Sequence, residues 1–169
     1  MGRFGNARTR PNEAPLPDPV GFLLTWTTYG TWLPGDERGW VWKGKELQVE
    51  DLDLKAVARD RLTEPPCTLD DEQRHLVEKT ITDHCTIRQW HLHVVNCRTN
   101  HVHVVVSANR DPKEIRDQFK AWCTRKLKAL QRTRGQPVRE NWWTERGSQR
   151  YLGDDESLAA AIRYVLEGQ

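Results

Sequence analysis

The residues of this chain best suited to chemistry are two histidines one position apart. They are His101 and His103, in Asn100-His101-Val102-His103-Val104-Val105-Val106. Side chains on a strand alternate faces. On a strand, His101 and His103 therefore share one face, and Val102, Val104 and Val106 take the other. Two imidazoles side by side can converge on one divalent cation, which then needs at least one further ligand. The same spacing also suits two polar side chains on a solvated sheet face. A second pair, His91 and His93, has the same spacing. It reads either as ligands on an adjacent strand or as ordinary surface histidines.

The chain has three tyrosines: Tyr29, Tyr151 and Tyr164. Tyr164 lies near the C-terminus in a helical pattern whose buried stripe is Leu158, Ile162 and Val165. At 100° per residue it falls at the edge of that stripe. From an edge a phenol can reach a site while its helix stays anchored, though ordinary boundary tyrosines sit there too. Glu167 lies about one turn later on the same side. Gly168 can end the helix and let Gln169 swing back.

These groups need a scaffold. Residues 1–19 hold Gly, Pro and Arg without an apolar pattern and read as a flexible N-terminal arm, leaving 20–169 as one catalytic-size domain. Phe22-Leu-Leu-Thr-Trp-Thr-Thr reads as a first strand. Tyr29 to Trp40 is a turn-rich loop, and 41–66 is irregular with one short helix near 51–60. Thr68 or Asp70 caps a helix running to about Cys85. Strands follow near Gln89–Cys97 and His101–Ala108, joined by a tight turn. Asp111-Pro112 opens a long helix with Ile115, Phe119, Trp122, Leu127 and Leu130 as its apolar stripe. Asn141 to Leu152 is one strand or a hairpin, and a last helix covers Leu158 to about Gly168. The order β, α, β, β, α, β, α predicts an α+β fold. It is a ferredoxin-like antiparallel sheet with helices on one face and a C-terminal tyrosine-bearing helix.

Composition narrows the function classes. With 37% hydrophobic and 30% charged residues the chain is globular, not disordered. No apolar run approaches the ~18 residues that span a bilayer, and the N-terminus lacks a secretory apolar region, so a cytoplasmic location is expected. Four cysteines without paired spacing read as buried thiols. The net charge of +2 conceals a basic stretch from Lys113 to Arg139, with nine basic residues against two acidic ones. Such a stretch fits a polyphosphate partner, or a solvated helix face. Eight tryptophans are many for 169 residues. Trp122 is expected in the core, and Trp32, Trp40, Trp42 and Trp143 are candidates for stacking on unpaired bases.

Taken together, the His-Val-His strand, the following helix and the helical Tyr164 about 60 residues on resemble the single-tyrosine HUH transposases. These are the insertion-sequence-200-like enzymes and the REP-associated tyrosine transposases. The opening Leu-Thr-Trp-Thr-Thr-Tyr-Gly-Thr-Trp-Leu-Pro-Gly-Asp is also similar to their first-strand segments, and the resemblance spans Phe22 to Gln169. It implies a metal-dependent transposase that nicks and rejoins single-stranded or hairpin DNA, with prokaryotic, nucleoid-associated location. His101 and His103 would hold Mg2+ or Mn2+, and Tyr164 would be the nucleophile, leaving a 5′-phosphotyrosine bond and a free 3′-OH. Relatives often carry Gln or Asn four residues after the tyrosine. Here that position is Gly168, so the third ligand falls to Gln169, one place late, or to Glu167. Lys113, Arg116, Lys120, Arg125, Lys126 and Lys128 would grip the DNA backbone, and Arg3, Arg8 and Arg10 of the arm could add contacts. The family includes monomers and homodimers with the tyrosine acting in trans; in this chain Tyr164 is expected within reach of its own histidine pair.

Other classes predict different behaviour. A non-catalytic nucleic-acid-binding module would never become covalently attached to DNA. A hydrolase using metal-bound water would survive Tyr164→Phe. A domesticated HUH protein would nick without mobilising an element.

Overall fold

A computed structural model describes residues 18–41 and 46–167. The expected arm at 1–19 falls almost wholly outside the described residues, as do Trp42 and Gln169. In chain order the elements are β1 Gly21–Thr27, β2 Trp40–Val41, β3 Leu47–Gln48, α1 Leu52–Asp60, α2 Asp71–Arg88, β4 His91–Cys97, β5 His101–Ser107, α3 Pro112–Thr133, β6 Ser148–Leu152 and α4 Asp155–Glu167. The main sheet has the order β4-β5-β1-β6, and every neighbouring pair is antiparallel. This is the ferredoxin-like α+β arrangement, with the two-stranded ribbon β2-β3 and α1 inserted after β1.

The period-2 pattern of β1 and β5 sorts the two faces. Phe22, Leu24 and Trp26 of β1 and Val102, Val104 and Val106 of β5 pack against Val77 and Ile81 of α2 and Ile115, Phe119 and Leu127 of α3. Leu23 and Val105 point the other way and pack with Leu152, Ala161 and Val165. Helix α4 thus covers the second face, the one that bears His101 and His103, so the sheet is a central layer.

Helix ends follow local chemistry. Asp70 caps α2 in a reciprocal capping box with Gln73. The helix runs to Arg88, three residues beyond the expected Cys85, because nothing breaks it before Gln89 turns left-handed at φ 58°. Asp111 caps α3 with Pro112 in its first turn. Asp154 accepts from the Ser157 amide, so α4 begins at Asp155 rather than Leu158. Of the 141–152 stretch only the last five residues form a strand; Thr28 and Trp143 make an isolated bridge. Trp122 is 39% exposed instead of buried, and the Arg125 guanidinium carbon lies over its ring, 4.9 Å from the centroid. The core ladder of α3 is Ile115, Phe119, Cys123 and Leu127, at four-residue steps, and Trp122 is a full 100° off it.

The stretch before β6 is tied down from α3. Lys120 is only 8% exposed, and its Nζ donates to the carbonyls of Thr144 (2.8 Å) and Arg146 (2.8 Å). Arg116, 4% exposed, donates to the Gly147 carbonyl and to Gln149 Oε1, both at 2.9 Å. Lys120 and Arg116, expected from the sequence to grip a DNA backbone, instead turn their cations inward and organise a loop. Burial, with the Arg116 cation beside it, pushes Lys120 down to about 8. Between about pH 8 and the ordinary lysine value of 10.5, the unfolded chain holds a proton that the folded one releases. Stability from this group accordingly rises with pH across that window. Lys120→Met is expected to cost about 2–4 kcal/mol at pH 7 through the stranded carbonyls, and to abolish that rise. Urea unfolding of both proteins from pH 7 to 10 measures both effects.

Candidate active site

His101 and His103 lie side by side on β5, with ring centroids 4.8 Å apart. Each ring is held at Nδ1: His103 by Thr25 Oγ1 at 2.8 Å, and His101 by Asn100 Oδ1 at 2.8 Å. Thr25 is the register partner of His103 on β1, so the sheet itself sets that contact. Because Asn100 Oδ1 can only accept, His101 carries its proton on Nδ1. With Nδ1 occupied in both rings, coordination of a cation falls to Nε2, the usual arrangement for an oriented histidine ligand.

Tyr164 stands over this pair. Its ring centroid is 5.6 Å from that of His103, with the planes nearly perpendicular. Val165, fully buried, anchors the helix one residue on, while Tyr164 is 48% exposed. On the other side of the sheet pair, Asn96, which is opposite His103 on β4, donates from Nδ2 to the Val165 carbonyl at 3.1 Å. The last turn of α4 is thus fastened to the strand next to the histidines. Asn96→Ala is expected to slow any Tyr164-dependent reaction about ten- to hundredfold through misplacement of the phenol, with DNA affinity unchanged; single-turnover rates alongside binding isotherms separate the two.

The other tyrosines are elsewhere. Tyr29 packs against the core on the α2 and α3 side, and its hydroxyl bonds Thr63. Tyr151 contacts Phe22 edge-on at 5.4 Å on that same face. Only Tyr164 shares the histidine face.

The histidines and Tyr164 line an open cleft of about 670 Å³. Thr25, Thr27, Ser148 and Arg150 contribute its floor from β1 and β6, and Thr31, Trp32 and Arg38 form a wall from the loop after β1. Arg38 and Arg150 are cations at the site that the charge run did not reveal, since they lie outside it.

The remaining sequence candidates are placed differently. Lys113, Arg125, Lys126 and Lys128 belong to α3, on the far side of the sheet from the cleft. Lys128 pairs with Glu140 at 2.6 Å. The rings of His91 and His93 lie 4.4 Å apart with their planes tilted by 55°, but His91 is in register with Ser107, at the opposite end of β5. That separates them from His101 by roughly 20 Å along the strand, so the pairs do not share a cation. His93 bonds Ser107 Oγ at 2.7 Å, and burial with the neighbouring His91 lowers its pKa. Among the tryptophans, Trp143 gives its Nε1 to Thr124 and the Lys120 carbonyl, and Trp40 gives its own to Val49. Among the described tryptophan candidates, Trp32 is the one that lines the cleft.

Two neutral imidazoles are a donor set that fits a divalent cation. Among the described residues no cluster of three or more His, Cys, Asp and Glu side chains assembles to hold a metal. Glu167 is exposed, and Gln169 lies outside the described residues. The other coordination positions would therefore come from substrate oxygen, water or Gln169. Among the described residues no helix is long and apolar enough to cross a membrane.

The fold recurs in solved structures. A chain assigned as a transposase from Deinococcus radiodurans R1 superposes with a TM-score of 0.51 at 12% identity, over 94% of this chain and 95% of that one. A REP-associated tyrosine transposase bound to a REP hairpin superposes with a TM-score of 0.50 at 9% identity, over 93% of this chain and 70% of that one. No family model matches the sequence. No curated protein matches it.

Proposed function

We propose that this chain is a transposase-type enzyme that nicks and rejoins single-stranded or hairpin DNA through Tyr164. The observation that carries the reading is the juxtaposition of one exposed phenol with an oriented histidine pair, in one chain and one cleft. The shared fold with the two transposases supports it, one of them bound to a REP hairpin.

The residues suggest a division of labour. His101 and His103 would hold Mg2+ or Mn2+, which when bound polarises the scissile phosphate and lowers its charge toward the incoming oxygen. Tyr164 supplies the nucleophile. Its oxygen attacks phosphorus, the 3′ oxygen leaves with a proton, and the 5′ phosphate stays on the protein. Attack by a 3′-OH on that phosphotyrosine reverses the step, so strand rejoining needs no ATP. Arg150 stands at the cleft to receive the phosphodiester backbone. The short reach from Tyr164 to its own His103 favours action in cis, whether the protein works alone or as a homodimer.

End-labelled hairpin oligonucleotides from the DNA bordering the gene test this directly. Incubation with Mn2+ and denaturing electrophoresis should give a labelled band at the mass of protein plus DNA fragment. EDTA should remove it. Cleavage without an adduct would point instead to attack by water, and binding with neither would point to a binding module.

A further inference from the structure

The cleft has an aromatic wall built as a rigid unit. Trp32 is 42% exposed, yet its Nε1 is satisfied by the Gly39 carbonyl at 2.7 Å. The guanidinium of Arg38 lies over the indole, with Cζ 4.8 Å from the ring centroid. Arg38 is locked there from below. Its Nε donates to Asp36 Oδ1 at 2.6 Å, and one terminal nitrogen donates to Asp36 Oδ2 at 2.9 Å and to the Thr31 carbonyl at 2.7 Å. Asp36 is 2% exposed and also pairs with Lys55 at 3.3 Å. The hydrogen bonds from Arg38 hold its carboxyl well below the usual carboxylate range. The loop has no slack: Gly35 has φ 86°, and a Cβ there would meet the Asp51 carbonyl at 2.1 Å, so the loop closes directly onto the start of α1.

A planar cation lying over an indole, held by a buried carboxylate and facing a cleft, is a surface made for another flat π-system. We infer that Trp32 and Arg38 form a stacking platform for one unpaired nucleobase next to the scissile phosphate. This inference rests on the DNA-nicking reading and deepens it, since the platform lines the same cleft as His101, His103 and Tyr164. A base clamped there would fix the register of the strand, so that one phosphodiester lies under Tyr164. Base stacking is tolerant of sequence, so the platform sets position while other contacts set sequence.

The test uses the full chain carrying Tyr164→Phe, so that bound DNA is not turned over. A single abasic site is walked through the single-stranded flank of a fluorescent hairpin oligonucleotide, and affinity is measured at each position. One position, or two adjoining ones, should weaken binding about tenfold, the typical loss for one stacked base. Adding Trp32→Ala should weaken intact DNA by a similar factor and cost nothing further at that position. Trp32→Phe should recover most of the loss. Arg38→Lys keeps the charge but not the planar fork and should lose part of it, a second variant that leaves Trp32 in place. Equal affinity of the Trp32→Ala protein and its parent for intact DNA, or a Trp32→Ala loss that persists undiminished on every abasic strand, overturns the platform while leaving the nicking reading standing. Failure of the parent to bind any hairpin strand, together with no adduct from the wild-type chain, removes the nicking reading itself and this inference with it.

Discussion

Replacing Tyr164 by phenylalanine is expected to abolish the covalent protein–DNA adduct and to cut strand nicking by roughly three orders of magnitude or more, the scale on which a lost nucleophile acts. The substitution removes one oxygen from a ring that is half exposed and whose neighbour Val165 does the anchoring. Stability and DNA affinity should therefore stay within about two- to threefold of the parent. Neither other tyrosine can substitute, because Tyr29 and Tyr151 are on the opposite face of the sheet. Denaturing gels of labelled DNA, read beside fluorescence binding curves, separate loss of chemistry from loss of binding. Full nicking by the variant would transfer the nucleophile role to water.

The second large effect is expected at the histidine pair. His103→Ala and His101→Ala should each weaken Mn2+ binding by more than the roughly 10–100-fold that loss of an outer hydrogen-bond partner costs, and should bring adduct formation to background. Titration of Mn2+ by its electron paramagnetic resonance signal reads the affinity without DNA or turnover. Thr25→Val removes only the Nδ1 partner of His103, so it belongs on the 10–100-fold scale. A His91→Ala variant should bind Mn2+ like the parent, because that residue stands at the far end of β5.

The parts of the site that lie within one element were legible in the sequence. Strand alternation gave His101 and His103 a common face, and helical spacing put Tyr164 at the edge of α4's buried stripe. The partners that orient these groups were not legible. Thr25 meets His103 across 78 residues of sequence, and Asn96 reaches Val165 across 69; both depend on strand register and on which face α4 covers. The charge run misled for a related reason. A run of lysines and arginines on a helix reads as surface, and nothing local marks Lys120 and Arg116 as the ones that find loop carbonyls 24 to 31 residues later. The cations at the cleft, Arg38 and Arg150, come from a loop and an edge strand with no local charge signal. Trp122 and Cys123 differ by one helical step, and only the packed helix decides that the smaller side chain goes inside.

The most direct test of the account is to find which residue carries the DNA. Arg163 precedes Tyr164, so trypsin releases a peptide that begins at Tyr164. After reaction with Mn2+ and hairpin DNA, nuclease trimming and tryptic digestion, mass spectrometry should find a 5′-phosphonucleotide on that peptide and on Tyr164 within it. A nucleotide on Tyr29 or Tyr151, or nicked DNA with every tyrosine unmodified, would contradict the account.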